Sequence, residues 1–178
     1  QSNHVTVSQV FPDGFYAYAF ESDAQNLTTI PNLSVFRNIY LRIPSLAITE
    51  IVSPGVGFTA PFGDSTFPSI AAVQQSKGIK VFVAFSSSAS NLVDGDSNAF
   101  QDIFLSEVPV PSTSTYTPSS FSTTIRIPTS FVSGSEPNGT STNPKVSGDG
   151  RYVVFESDAT NLVSGINGGS TTRHIYLY

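Results

Sequence analysis

One short segment occurs three times in this chain of 178 residues. In each copy an apolar run ends in a phenylalanine, an alanine follows four residues later, and an Asn-Leu pair begins six residues later. The repeated residues are the phenylalanines Phe20, Phe85 and Phe155 and the asparagines Asn26, Asn91 and Asn161. Self-similarity of this kind indicates a repeat architecture in which each copy forms one supersecondary unit. The repeat therefore limits the fold more than any other feature.

Each copy predicts three strands, one before a glycine turn, one through the phenylalanine, and one at an Ile-Tyr/Phe-Leu motif. Alternating aromatic and β-branched residues are typical of strands with a buried face. A fourth strand is expected at Leu46–Val52 after the first copy and at Phe121–Ile127 after the second. The chain ends before a fourth strand of the third copy. We expect one domain, 1–178, with units at about 5–52, 68–127 and 144–178.

Three segments between these strands are rich in Pro, Gly, Ser and Thr, and such a composition is typical of loops. The predicted connectors are 53–67, 108–120 and 129–143. In the repeat itself, Asn26, Asn91 and Asn161 are expected to hold the neighbouring loop through side-chain hydrogen bonds to the backbone. The phenylalanines are expected to lie in the core.

Units of four short antiparallel strands are typical of β-propeller blades. The run Pro144 to Val163 with His174 to Leu177 resembles the TolB-type propeller repeat, and so does Val83 to Val93 with Asp102 to Leu105. This resemblance implies an all-β fold of four-stranded antiparallel blades. Closed propellers usually have at least four blades, whereas this chain encodes about three. It is therefore a fragment of a longer propeller, half of a two-copy ring, or an open arc completed at its strand edges by another chain.

Charge and composition exclude several classes of function. The net charge is −5 with eight Lys and Arg residues, which argues against a nucleic-acid-binding face. There is no transmembrane run of 18 apolar residues. The chain has no cysteine and is rich in Ser, Thr and Asn, a composition that favours an extracellular or periplasmic location, including the cell surface.

An acidic loop after the second repeat is the most chemical-looking segment. Asp94, Asp96, Asn98 and Asp102 place oxygen atoms at the alternating positions that Ca²⁺ prefers. The other interpretation is a solvated turn, because the sister copies lack these carboxylates. No other cofactor is predicted.

No set of residues indicates catalysis. The carboxylate pairs Glu21/Asp23 and Glu156/Asp158 belong to the repeat framework, and His174 lacks the further ligands that zinc needs. We therefore predict a non-enzymatic extracytoplasmic protein whose repeats mediate self-assembly or protein binding, in part by strand complementation of the last unit. The alternative is a carbohydrate- or ligand-binding propeller fragment, or the propeller domain of a larger hydrolase.

Overall fold

The structure, a computed structural model, describes residues 4–28, 35–76, 78–111, 123–127, 130, 135–165 and 172–178. These residues form an all-β fold of three antiparallel sheets, with short 3-10 turns at Pro44–Leu46 and Val56–Phe58 and no α-helix. No helix among the described residues is long and apolar enough to cross a membrane. The all-β prediction is confirmed, and each repeat corresponds to one sheet.

In each sheet the strands follow one another in chain order. Sheet 1 contains β1 (Val5–Val7), β2 (Tyr18–Ser22), β3 (Asn38–Ile43) and β4 (Ile48–Ile51). Sheet 2 contains β5 (Ser65–Gln75), β6 (Gly78–Ser87), β7 (Asp102–Pro111) and β8 (Thr123–Ile127). Sheet 3 contains β9 (Ser141–Val146), β10 (Val153–Ser157) and β11 (His174–Leu177). The predicted fourth strands correspond to β4 and β8, although Phe121 and Ser122 lie outside the described residues.

The predicted connectors are shorter in the structure than in the sequence analysis. Strands β5 and β9 begin at Ser65 and Ser141, inside the segments predicted as loops, and β7 continues to Pro111. Proline at positions 109 and 111 indicated a loop, because it cannot donate to a ladder on both sides. In the described residues, however, β8 pairs only with Ile103 to Glu107, so this end of β7 is paired on one side.

The anchor phenylalanines pair with the central residue of the Ile-Tyr/Phe-Leu motif on the next strand. Phe20 lies opposite Tyr40, Phe85 opposite Phe104, and Phe155 opposite Tyr176. In all three pairs the rings stack, with centroids 5.6 to 5.8 Å apart. Cross-strand aromatic pairs of this kind stabilise a sheet beyond the area they bury. The repeat thus encodes one packing unit per sheet.

The three sheets pack face to face, with sheet 2 in the middle. One face of sheet 2, with Val81, Val83 and Phe85, packs against sheet 1. The other face, with Phe82 and Ala84, packs against sheet 3. Because successive side chains of a strand point to opposite faces, β6 is apolar on both faces from Val81 to Phe85. The first strands β1, β5 and β9 are neighbours in space.

Candidate interaction faces

Each sheet has two faces with different roles, which the repeat defines. We call the face that points toward the next sheet in the chain the forward face, and the opposite one the backward face. On sheet 1 the forward face carries Ala19, Ile39 and Leu41, all fully buried against sheet 2. On sheet 2 the matching residues Ala84, Ile103 and Leu105 are buried against sheet 3. The forward face is therefore apolar and covered in both cases where a next sheet is present.

The forward face of sheet 3 carries the same kind of residues but is open. Val154, Ile175 and Leu177 stand at the matching positions, and Ile175 and Leu177 are 77% and 67% exposed. Fully burying one such side chain contributes about 1.5–3 kcal/mol. An exposed cluster of this kind, flanked by charged residues, is typical of an interaction site.

The backward face of sheet 1 is open in the complementary way. Its first strand, β1, exposes Val5 and Val7, and Val7 is 56% exposed, whereas the matching Ile70 of sheet 2 is buried. Tyr18 and Phe20 are half-buried on the same face. A shallow groove on this face is lined by Val5, Tyr18, Phe20, Leu27, Arg42 and Thr49. Sheet 1 therefore presents an apolar groove where sheets 2 and 3 present a covered surface.

Backbone hydrogen bonds repeat at both internal interfaces. The N–H of Ser65 donates to the carbonyl of Arg37 at 2.8 Å, and the N–H of Ser141 donates to that of Gln101 at 2.7 Å. Arg37 and Gln101 each stand immediately before the third strand of their sheet. In sheet 3 this position is taken by Arg173. Each next sheet thus begins by bonding to the same backbone atom of the one before it.

A buried carboxylate reinforces the first interface. Glu21, whose side chain is 1% exposed, accepts a hydrogen bond from the N–H of Phe67 in β5 at 3.0 Å. The same carboxylate is 3.2 Å from the guanidinium of Arg37 and 3.0 Å from Nδ1 of His4. Phe67 has a positive φ of 55°, where the register of β5 shifts. Glu21 thus satisfies a backbone donor that this irregular strand turns away from its own sheet.

The matching carboxylate in sheet 3 has no next sheet to contact in the described part of the chain. Glu156 is approached by Arg173 at 3.6 Å and accepts from Nδ2 of Asn143 at 3.3 Å, as Glu21 is by Arg37 and His4. Its side chain is 39% exposed. The forward face of sheet 3 thus carries the polar half of the internal contact as well as the apolar half.

The repeated asparagines hold the connector that enters their sheet, instead of the loop that follows them. Asn91 donates to the carbonyl of Ala60 and accepts from the N–H of Phe62, both at 2.9 Å. Asn161 donates to the carbonyl of Glu136 at 2.7 Å and accepts from the N–H of Asn138 at 3.0 Å. Asn26, in the first sheet, is exposed. Both clamps bond a carbonyl and the N–H two residues after it, and they fix how one sheet leads into the next.

The repeated serine before each alanine corner also bonds the backbone. Ser22, Ser87 and Ser157 each accept a hydrogen bond from the alanine N–H two residues later, at 3.1 to 3.2 Å. The hydroxyl adds a local cap of the kind that serine forms at turns.

In the acidic loop a cation is already supplied by the chain. The guanidinium of Arg126 on β8 lies 3.0 Å from Asp96 and 3.4 Å from Asp102, and it also bonds Glu136. Asn98 donates to Asp102 at 3.0 Å. Asp94 is exposed. Within the described residues no group of three acidic, histidine or cysteine side chains has the arrangement of a metal site. A calcium site at Asp94, Asp96, Asn98 and Asp102 stays a prediction. The guanidinium of Arg126 would compete with the ion for the carboxylate oxygen atoms of Asp96 and Asp102.

Burial sets the electrostatics of this cluster. It raises the pKa of Asp102 to about 6, although Asn98 and Arg126 act against this shift. It also raises the pKa of Asp96. For Glu136, hydrogen bonds from Ser97 and Arg126 outweigh burial and lower the pKa. The cluster ties β7, β8 and the connector to sheet 3 together, which is a structural role.

Of the two carboxylate pairs, one comes together: the guanidinium of Arg173 lies 3.6 Å from both Glu156 and Asp158. Glu21 is buried while Asp23 is exposed, so this pair does not share a site. The ring of His174 lies edge-on to Tyr176 at 6.3 Å. Sequence reasoning missed Arg126 and the Glu21 contact with Phe67, because both join residues far apart in the chain. The one signal in the sequence was that a glutamate follows the repeated phenylalanine in both the first and the third copy, at Glu21 and Glu156.

A comparison of the chain with protein-family models, with curated proteins and with solved structures found no match.

Proposed function

We propose that this chain is a non-enzymatic, extracytoplasmic structural or interaction protein built of TolB-like propeller repeats. Its open outer sheet faces serve to assemble it with copies of itself or to bind a protein partner. One observation carries this proposal: forward-face positions that are buried at both internal interfaces are exposed on sheet 3, and Val7 of sheet 1 is exposed where the matching Ile70 of sheet 2 is buried.

The packing supports a propeller-type arrangement. Three antiparallel meanders stack face to face, and their first strands are neighbours, as blades are around a propeller axis. The edge of β11 is a second feature, because in the described residues it pairs only with β10. An open edge can accept a strand from another chain. The ligand-binding and hydrolase alternatives stay predictions, and no contact in the site favours them.

Size-exclusion chromatography with light scattering tests the proposal. We expect the mass to rise above that of one chain within about 1 μM to 1 mM, the range of weak to moderate protein association. Val35→Asp is a matched control, because Val35 is exposed and lies outside the strands that form both faces. The proposal would be refuted if the protein is a monodisperse monomer throughout this range and no protein partner copurifies with it.

A further inference from the structure

The two open faces are the two halves of one interface. Each internal interface of the chain joins a forward face to a backward face. One copy exposes one forward face, on sheet 3, and one backward face, on sheet 1. We infer that the partner is a second copy of this chain, docked head to tail, with sheet 3 of each copy packed on sheet 1 of the other. This inference rests on the proposed function and specifies its partner.

Matching residues favour this pairing over contact between two like faces. In the internal interface, Ala19, Ile39 and Leu41 pack on the side of sheet 2 that carries Val83 and Phe85. In the head-to-tail contact, Val154, Ile175 and Leu177 occupy the places of the first set, and Tyr18 and Phe20 those of the second. Both sets are apolar, and the internal interfaces of the same chain show how matching sets pack together.

The polar residues point to the same orientation. Glu21 accepts the N–H of Phe67 across the first interface, and Glu156 is the matching acceptor on sheet 3. His4 takes the place of Phe67 in sheet 1, since its imidazole contacts Glu21 as the Asn143 amide contacts Glu156. Head-to-tail docking places β1 of the second copy against Glu156, as β5 lies against Glu21 in the first internal interface. Contact between two forward faces would instead bring two Glu156 carboxylates together, which is unfavourable.

Closure limits the assembly to two copies. A heterologous contact generates a ring if the rotation closes and a filament if it does not. Here the contact repeats the rotation between neighbouring sheets, so two arcs of three sheets make a ring of six. Closed propellers have about four to eight blades. Six falls within that range, and both open faces are covered in both copies.

A complementation experiment tests the pairing. Ile175→Asp blocks the forward face and Val7→Asp blocks the backward face; both side chains are exposed, so the fold of each monomer is retained. A charge at the centre of such a contact should weaken it by at least about 30-fold. Each variant alone should be monomeric under conditions where the wild type is a dimer. An equimolar mixture should give a one-to-one complex, because it restores one intact interface, and native mass spectrometry would resolve it by mass.

The other outcomes are distinguishable. If either variant dimerises alone while the other does not, the contact joins like faces and the head-to-tail inference is wrong, although the proposed function stands. If the mixture stays monomeric while the wild type dimerises, the inference is also wrong. A monomeric wild type refutes both. Leu177→Asp and Val5→Asp form a second pair that should behave in the same way, and Val35→Asp should associate as the wild type does.

Discussion

The asparagine clamps allow a quantitative test of how the sheets are joined. In Asn161→Ala, two hydrogen bonds to the connector backbone are lost, one of 2.7 Å to Glu136 and one of 3.0 Å from Asn138. At about 1 kcal/mol each, the unfolding free energy should fall by about 2 kcal/mol. For a chain of this size such a loss corresponds to a Tm decrease of roughly 4–8 °C. Asn91→Ala should behave alike, because Asn91 makes the same two kinds of bond to its connector.

The matched control is Asn26→Ala, at the same repeat position but exposed, and with no preceding sheet in the described part of the chain. Its loss should stay below about 0.5 kcal/mol. Urea unfolding measures all three variants, and the Ile175→Asp background keeps the protein monomeric so that association does not contribute. If Asn26→Ala costs as much as the other two, the asparagine acts within its own loop, and the clamp explanation is wrong.

Three further predictions concern the carboxylates. Asp102→Asn should raise the free energy of unfolding at pH 7. Because the pKa of Asp102 is raised from 3.8 to about 6 in the folded state, its stabilising contribution is fully present below pH 3.8 and is lost as the pH rises through 6. The gain in unfolding free energy should be at most about 3 kcal/mol at pH 7 and should be absent near pH 3. Thermal melts measure it, and a pH profile of stability that is unchanged from the wild type would contradict the prediction. Glu21→Ala should cost roughly 3 kcal/mol in urea, because it leaves Arg37 and the N–H of Phe67 without their buried acceptor. Glu156→Ala, the exposed counterpart, should cost below about 1 kcal/mol in the monomer, and equal losses would refute this. EDTA should leave the Tm unchanged because Arg126 occupies the acidic cluster, whereas a decrease reversed by Ca²⁺ would support the metal.

The repeat predicted the strands well because each sheet is a local meander. The distance in sequence from Phe20 to Tyr40, or from Phe155 to Tyr176, is short, and the alternation of apolar residues sets the register. The strand ends were less predictable. Pro68 and Pro144 suggested that β5 and β9 begin there, whereas a register shift around each proline lets the strand start earlier, at Ser65 and Ser141.

The contacts between sheets were not predictable from periodicity. Phe67 and Glu21 are 46 residues apart, and nothing in either segment alone identifies the partner. Arg126 reads as an ordinary polar residue in an alternating strand, yet it bonds three carboxylates from the loop, the strand β7 and the connector. Such contacts depend on how the sheets stack, and stacking is a property of faces that the sequence of a single strand does not specify.

The burial of apolar side chains follows the covering of the faces. In sheet 2, which is covered on both faces, Val81, Val83 and Phe85 are fully buried. In the half-covered outer sheets, Val7 and Ile175 are 56% and 77% exposed. A strand gains from the residues it orders only if their side chains are buried, because otherwise the entropy cost of ordering is not offset. Cover on these two faces would therefore stabilise β1 and β11 as it buries Val7 and Ile175.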